Sequence, residues 1–138
     1  MEKLKDTIIG VDLGQASDYT AICIIEKKQA YDQRTGQKQN EPFYLVRFLE
    51  RPALGTPYPD IVRRVKTIYN GVTDPTTGKR PSLVVDATGC GRPVFDMFKE
   101  EGLSPRGITI HGGNSVSQEG SIYGVPKRDL AGVLQVLY

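Results

Sequence analysis

The chain is short of cysteine, histidine, long apolar runs and net charge, and each shortage removes a class of function. Its two cysteines, Cys23 in an apolar run and Cys90 in a glycine-rich turn, lack a CxxC spacing. They make neither a disulfide framework nor a zinc site, and such usage fits a reducing compartment. The one histidine, His111, has no cysteine or serine partner at a recognisable spacing, so a structural role is expected. The N-terminal Met1-Glu2-Lys3-Leu4-Lys5-Asp6 is polar, and the apolar run behind it is too short for a signal peptide. No stretch reaches membrane-spanning length, and a cytoplasmic protein is expected. A formal charge of +2 neither identifies a nucleic-acid partner nor opposes one. Thr77-Gly78-Lys79-Arg80 hints at a phosphate loop, but its spacing to Gly71 is wrong and Arg80 stands where serine or threonine is required. Internal repeats and low-complexity tracts are not evident, and 138 residues suit one domain with a real core.

What the chain does have is two similar segments. Ile8-Ile9-Gly10-Val11-Asp12-Leu13-Gly14 and Ser82-Leu83-Val84-Val85-Asp86-Ala87-Thr88-Gly89 are each an apolar, β-branched run closed by one aspartate and a glycine. Runs of this kind read as buried strands whose terminal carboxylate stands at the rim of a sheet. Around them the pattern predicts strands over 7–13, 19–25 and 43–49, the first two joined by a short polar turn and so antiparallel. Residues 27–42 read as an exposed loop or hairpin tip, with a turn signal at Arg34-Thr35-Gly36-Gln37. A helix opens near Pro59, buries Ile61, Val62, Val65, Ile68 and Tyr69, and closes at Asn70-Gly71. After the 82–86 strand, a second helix opens at Pro93, buries Val94, Phe95 and Phe98, and ends at Gly102. A short strand over 108–110 follows, then a glycine- and serine-rich stretch, 112–124, read as a mobile loop over the active site. A last helix from Pro126 carries Leu130, Val133, Leu134 and Leu137. The order β-β-β-α-β-α-β-α predicts an α/β fold: a five-stranded mixed sheet, its three leading strands antiparallel, with helices on both faces. The last apolar stripe is still in phase at Tyr138, so the domain over 1–138 is expected to continue further.

An isolated Asp-x-Gly is most simply a turn cap, and the same holds for Asp86 taken alone. Their recurrence at two strand ends points to a shared site. Two close carboxylates repel unless a cation lies between them. Mg²⁺ accepts carboxylate oxygens while keeping waters for chemistry, and a second ion can share such a site. Asp12 and Asp86 are therefore the candidate catalytic and metal-binding residues. Gly10 and Gly14, which flank Asp12, leave room for backbone or a ligand. Asp18, Glu50 and Asp129 are candidates for a third acid or a supporting hydrogen-bond partner, although a turn residue or solvated glutamate explains the first two as well. Lys127 and Arg128 open the last helix, where positive charge opposes the dipole, and so are candidates for phosphate. Arg92, at the start of the second helix, is a third candidate for contact with DNA.

Asp12-Leu13-Gly14 with Asp18-Tyr19-Thr20-Ala21, Val84-Val85-Asp86-Ala87-Thr88-Gly89 before a helix, and Val125-Pro126-Lys127-Arg128-Asp129-Leu130 resemble the nuclease domain of phage terminase large subunits. That domain belongs to the ribonuclease H-like superfamily, related to Holliday-junction resolvases. The resemblance spans nearly the whole chain and implies a ribonuclease H-like sheet. It also implies metal-dependent cleavage of double-stranded DNA during genome packaging. By it Asp12 and Asp86 are the first two ligands of a two-metal Mg²⁺ or Mn²⁺ site, and the partners are DNA, a portal and a small terminase subunit. The protein would belong to a bacterial host or prophage. Such nucleases use a third acid on a helix near the domain's end, which this sequence does not match; weak metal binding and poor cutting are then expected. Two other classes remain open: a non-catalytic packaging module of the same fold, and an ATP-phosphate-binding domain like those of actin, sugar kinases and heat-shock chaperones. In the latter the second Asp-x-Gly loop turns back into a strand, whereas here Gly91-Arg92-Pro93 leads into a helix.

Overall fold

The computed structural model describes residues 6–130. The chain folds into a mixed α/β domain whose single sheet has the order β3-β2-β1-β4-β5-β7-β6. β1 (Asp6–Asp12), β2 (Ala21–Tyr31) and β3 (Lys38–Glu50) form an antiparallel meander. α1 (Tyr58–Val72) crosses over to β4 (Ser82–Asp86), which pairs parallel with β1. α2 (Arg92–Glu100) then leads to β5 (Arg106–His111), parallel to β4. β6 (Ser117–Glu119) and β7 (Ile122–Pro126) close the far edge. The β3-β2-β1-β4-β5 order, with its antiparallel start, is consistent with the ribonuclease H-like arrangement expected. Among the described residues no helix is long and apolar enough to cross a membrane.

The sheet has seven strands where five were expected. The stretch 112–124 was read as a loop, but β7 pairs in parallel with β5, and Gly124 lies opposite Thr109. Its glycine is a packing device: a Cβ there would collide with the Ser117 hydroxyl and crowd the His111 ring. Glycine in a strand marks a close approach as readily as a loop. β2 and β3 also run further than expected, leaving only 32–37 outside the ladder as the hairpin tip. The added stretches, 26–31 and 38–42, are almost wholly polar, so no apolar alternation marks them in the sequence.

Alternation decides what each face does. Ile9, Val11 and Leu13 of β1 and its extension, Ile22 of β2, and Leu83 and Val85 of β4 point to one face. There they join Ile61, Val62, Val65 and Ile68 of α1 and Val94, Phe98 and Leu103 of α2 in one buried cluster. α1 begins beside Pro57 and Pro59 and ends where Thr73 returns its N–H and hydroxyl to the Tyr69 carbonyl, at 3.1 and 2.8 Å. α2 stops at Gly102, φ +81°, where Leu103 N–H reaches the Phe98 carbonyl and tucks its side chain into the core. Both helices therefore share one face. Residues 127–130 are helical, and the rest of the expected last helix, with Val133, Leu134 and Leu137, lies outside the described residues.

Phe98 has no exposed surface and sits where α2 meets the sheet. Phe98→Ala is expected to cost about 3–5 kcal/mol, read from urea unfolding.

Candidate metal centre

The in-register pairing of β1 and β4 sets Asp12 directly opposite Asp86, one strand spacing of about 4.8 Å apart. Both follow buried neighbours by one residue, so both carboxylates stand on the face turned away from α1 and α2. The ladder continues past them: Leu13 N–H donates to the Asp86 carbonyl at 3.2 Å, and Ala87 N–H to the Ile108 carbonyl at 3.1 Å. The rim is thus fixed by backbone on both sides of the pair.

The two acids are held differently. Asp86 Oδ1 accepts the Thr88 hydroxyl at 2.6 Å and the Thr88 N–H at 2.9 Å. Thr88 Oγ1 in turn accepts the Ile110 N–H at 2.9 Å, so the β4 loop is tied to β5 through one side chain. Among the described residues no such donor binds the Asp12 carboxylate. Partial burial, then the negative charges of Asp86 and Asp18, push its pKa above the ordinary value of 3.8. A divalent cation between the two would relieve this repulsion.

Three residues outside the expected set brace the loops. The Tyr58 hydroxyl, at the start of α1, donates to the Gly14 carbonyl at 2.8 Å and lies 3.3 Å from Cys90 Sγ. Cys90 Sγ also reaches the Leu13 carbonyl at 3.5 Å, and the hydrogen bond with Cys90 together with burial pushes the Tyr58 pKa up to about 12. The Gln15 side chain lies over Gly89, whose φ is +80°. The loops after Asp12 and Asp86 are thereby clasped to each other and to α1. Thr88 was visible in the sequence as a hydroxyl two residues after an aspartate, a turn signal in its own right. Tyr58 carried none, because its partners are 32 and 44 residues away.

The glycines beside Asp12 serve the chain's own packing and leave no ligand gap. A Cβ at Gly10 would crowd Cys23 Sγ at 2.9 Å, and one at Gly14 would collide with the Asp18–Tyr19 backbone. Asp18 takes the turn role, its N–H donating to the Gln15 carbonyl at 2.8 Å, and it bears on Asp12 through charge. Glu50 shares the rim, but it pairs with buried Ile22 and so faces the helices. There Arg64 grips both its oxygens at 2.8 Å, holding its carboxyl below the usual range. Asp129 follows β7, two strands across from β4, and pairs with Arg128 at 3.7 Å. The structure does not bring Glu50 or Asp129 to the pair, and among the described residues no group of three or more metal-ligating side chains forms.

The basic candidates are spread out. Arg92 faces Glu119 at 3.6 Å, and Arg128 donates to the Asn114 carbonyl at 2.9 Å. Lys127 is exposed and makes no ion pair among the described residues. His111 accepts the Gly113 N–H at 2.9 Å and packs on Gly124, the structural role expected of it.

No family model matches the chain. No curated protein matches it. Among solved structures it is similar to the large terminase nuclease from thermophilic phage G20c, at 21% identity and a TM-score of 0.45. The match covers 73% of this chain and 42% of that one, so the chain spans less than half the length of the protein it matches.

Removing the Thr88 hydroxyl takes one of two donors from Asp86 Oδ1 and leaves Ile110 N–H without its partner, and Thr88→Val is expected to cost about 1 kcal/mol in urea unfolding. A second test concerns pH. Folded Asp12 holds its proton more tightly than the unfolded chain does, so its ionisation removes stability as pH rises from 3.8 through its raised folded value. In a chelating buffer, Asp12→Asn is therefore expected to melt above the native chain at neutral pH. The difference should fade once pH falls below 3.8.

Proposed function

We propose that the chain is a metal-dependent endonuclease domain that hydrolyses phosphodiester bonds of double-stranded DNA, as in phage genome packaging. One observation carries the reading: Asp12 and Asp86 stand opposite each other, on one face, at the ends of adjacent parallel strands. Mg²⁺ typically takes one or two carboxylates and completes its shell with water and phosphate, which matches this donor set. When bound there, Mg²⁺ or Mn²⁺ would supply an activated water and neutralise charge on the cleaved phosphate.

The chain's own part is positional. Thr88 fixes one oxygen of Asp86, leaving the other as a ligand of defined direction. Asp12 has no hydrogen-bonded competitor among the described residues and gains most from a cation, because its negative charge is the disfavoured form. The Tyr58–Gly14–Cys90 clasp keeps the two loops from parting. Lys127, without an ion pair among the described residues and at the same rim, supports contact with the DNA backbone. A second ion calls for a third acid, which the described residues do not assemble. Portal and small terminase subunit partners belong to the same proposal.

The test is nicking of supercoiled plasmid in Mn²⁺, read beside calorimetric Mn²⁺ titration. Asp12→Asn or Asp86→Asn is expected to abolish both nicking and the Mn²⁺ isotherm. Undiminished nicking by either variant would overturn the reading. ATP binding with no nicking by the native chain would replace it with the ATP-phosphate reading.

A further inference from the structure

At the end of the sheet away from the aspartates, the chain builds the same turn twice. Asp32-Gln33-Arg34-Thr35-Gly36-Gln37 joins β2 to β3, and Asp74-Pro75-Thr76-Thr77-Gly78-Lys79 lies between α1 and β4; both read Asp-x-x-Thr-Gly. The hydrogen bonds coincide one by one. The aspartate N–H donates to the sixth residue's carbonyl, at 2.8 Å for Asp32 to Gln37 and 2.9 Å for Asp74 to Lys79. The glycine N–H returns to the aspartate carbonyl at 2.9 and 2.8 Å. The Thr35 and Thr77 hydroxyls accept the N–H of Gln37 and Lys79, at 3.3 and 3.2 Å. Gly36 and Gly78, at φ +67° and +71°, supply the left-handed residue that such a turn needs.

This geometry spends each carboxylate on its own loop. Asp32 Oδ1 accepts the N–H groups of Arg34 and Thr35, and Asp74 Oδ1 those of Thr76 and Thr77. The same hydrogen bonds keep both acids ionised and fixed within their loops, with Lys38 following the first turn and Lys79 and Arg80 the second.

Between these walls lies an open groove of about 1200 Å³. Six cations line it, Lys27, Lys28, Lys38, Arg47, Lys79 and Arg80, over a floor that includes Ile24 and Phe48. Its three acids are all engaged: Glu26 with Arg47 at 3.0 Å and Lys28 at 3.9 Å, Asp6 with Lys79 at 2.8 Å, and Asp74 within its turn. Six cations against three carboxylates leave a surplus of three, against +2 for the whole chain. Lys27, Lys38 and Arg80 make no ion pair among the described residues. Asp6 lines this groove while Asp12 marks the metal centre, and six strand residues of about 3.3 Å put the two about 20 Å apart.

We propose that this groove binds a single nucleic-acid strand, as a contact site separate from the metal centre. Cations on two opposed walls follow a phosphodiester backbone, and an apolar floor with an aromatic ring accepts base faces. Arg80 offers its planar fork to a phosphate, and Lys38 faces it as a point charge from the hairpin wall. The site needs neither aspartate, so it stands whether or not the chain cleaves DNA.

The test is fluorescence anisotropy of a labelled oligothymidylate in EDTA, which removes any part of the metal centre. The native chain is expected to bind with an affinity that falls as KCl rises. The Lys38→Glu, Arg80→Glu double variant should bind at least about tenfold more weakly and flatten the log–log salt slope by about 1.4, two contacts at about 0.7 each. The charge-preserving Lys38→Arg, Arg80→Lys variant should retain binding, which separates lost charge from lost fold. Native binding that the reversal leaves unchanged overturns the proposal. So does no binding, or a polyglutamate peptide that binds more tightly than the oligonucleotide, which would make the groove a dock for an acidic protein segment. Failure of plasmid nicking leaves these outcomes untouched.

Discussion

Everything at the candidate site depends on the parallel pairing of β1 with β4. Five residue pairs, from Ile8 with Ser82 to Asp12 with Asp86, fix a register that a one-residue slip would ruin. A slip would turn one aspartate into the core beneath α1 and bring a valine to the rim in its place. The cost of burying an unpaired carboxylate makes that slip prohibitive, so the hydrophobic core and the carboxylate pair specify the same alignment. Ile9 and Val11, packed with Leu83 and Val85, are as much a part of the candidate site as the acids they position.

The loops add a second constraint, because strand register alone does not hold a carboxylate's direction. Asp86 is aimed by Thr88, which is itself anchored to β5 through Ile110. Asp12 is aimed by the turn behind it, where Gly14 N–H binds the Thr20 hydroxyl and the Gly14 carbonyl binds Tyr58. One strand end therefore leans on the next strand of the sheet and the other on the helix layer. A change in α1's first turn would be felt at Asp12 before it reached Asp86.

The strand-end aspartates, both helices with their buried stripes, and the antiparallel start were legible because each is a local pattern. Ile61, Val62, Val65 and Ile68 recur at helical spacing, and Pro59 and Pro93 mark helix starts. β7 was not legible, since Gly124 interrupts a short strand whose stability comes from pairing with β5. Glu50 was legible as a rim residue but not as one facing the helices, since its side depends on its register with Ile22. The glycines around Asp12 were seen correctly as points of close approach, yet the approaching groups, Cys23 and the Asp18 backbone, are set by tertiary structure. Non-local pairing decides β7, Glu50 and the approach of Cys23 to Gly10, and a single sequence does not encode it in any short window.

The aspartates themselves show how finely such windows must be read. Asp32 and Asp74 stand in Asp-x-x-Thr-Gly, and Asp86 stands in Asp-Ala-Thr-Gly, one residue shorter. In the longer motif two backbone N–H groups close on the carboxylate, and they hold both acids below the usual carboxylate range. In the shorter one the threonine supplies both its hydroxyl and its N–H, and in all three acids the two donors share Oδ1. Asp12, with no threonine behind it, accepts no such donor among the described residues, and partial burial with the charges of Asp86 and Asp18 raises its pKa. Stabilising a carboxylate by local donors and leaving it able to take a cation are opposed requirements. This chain separates them by position: carboxylates bound by local donors build the turns at one end of the sheet, while Asp12, without such donors among the described residues, faces Asp86 at the opposite end.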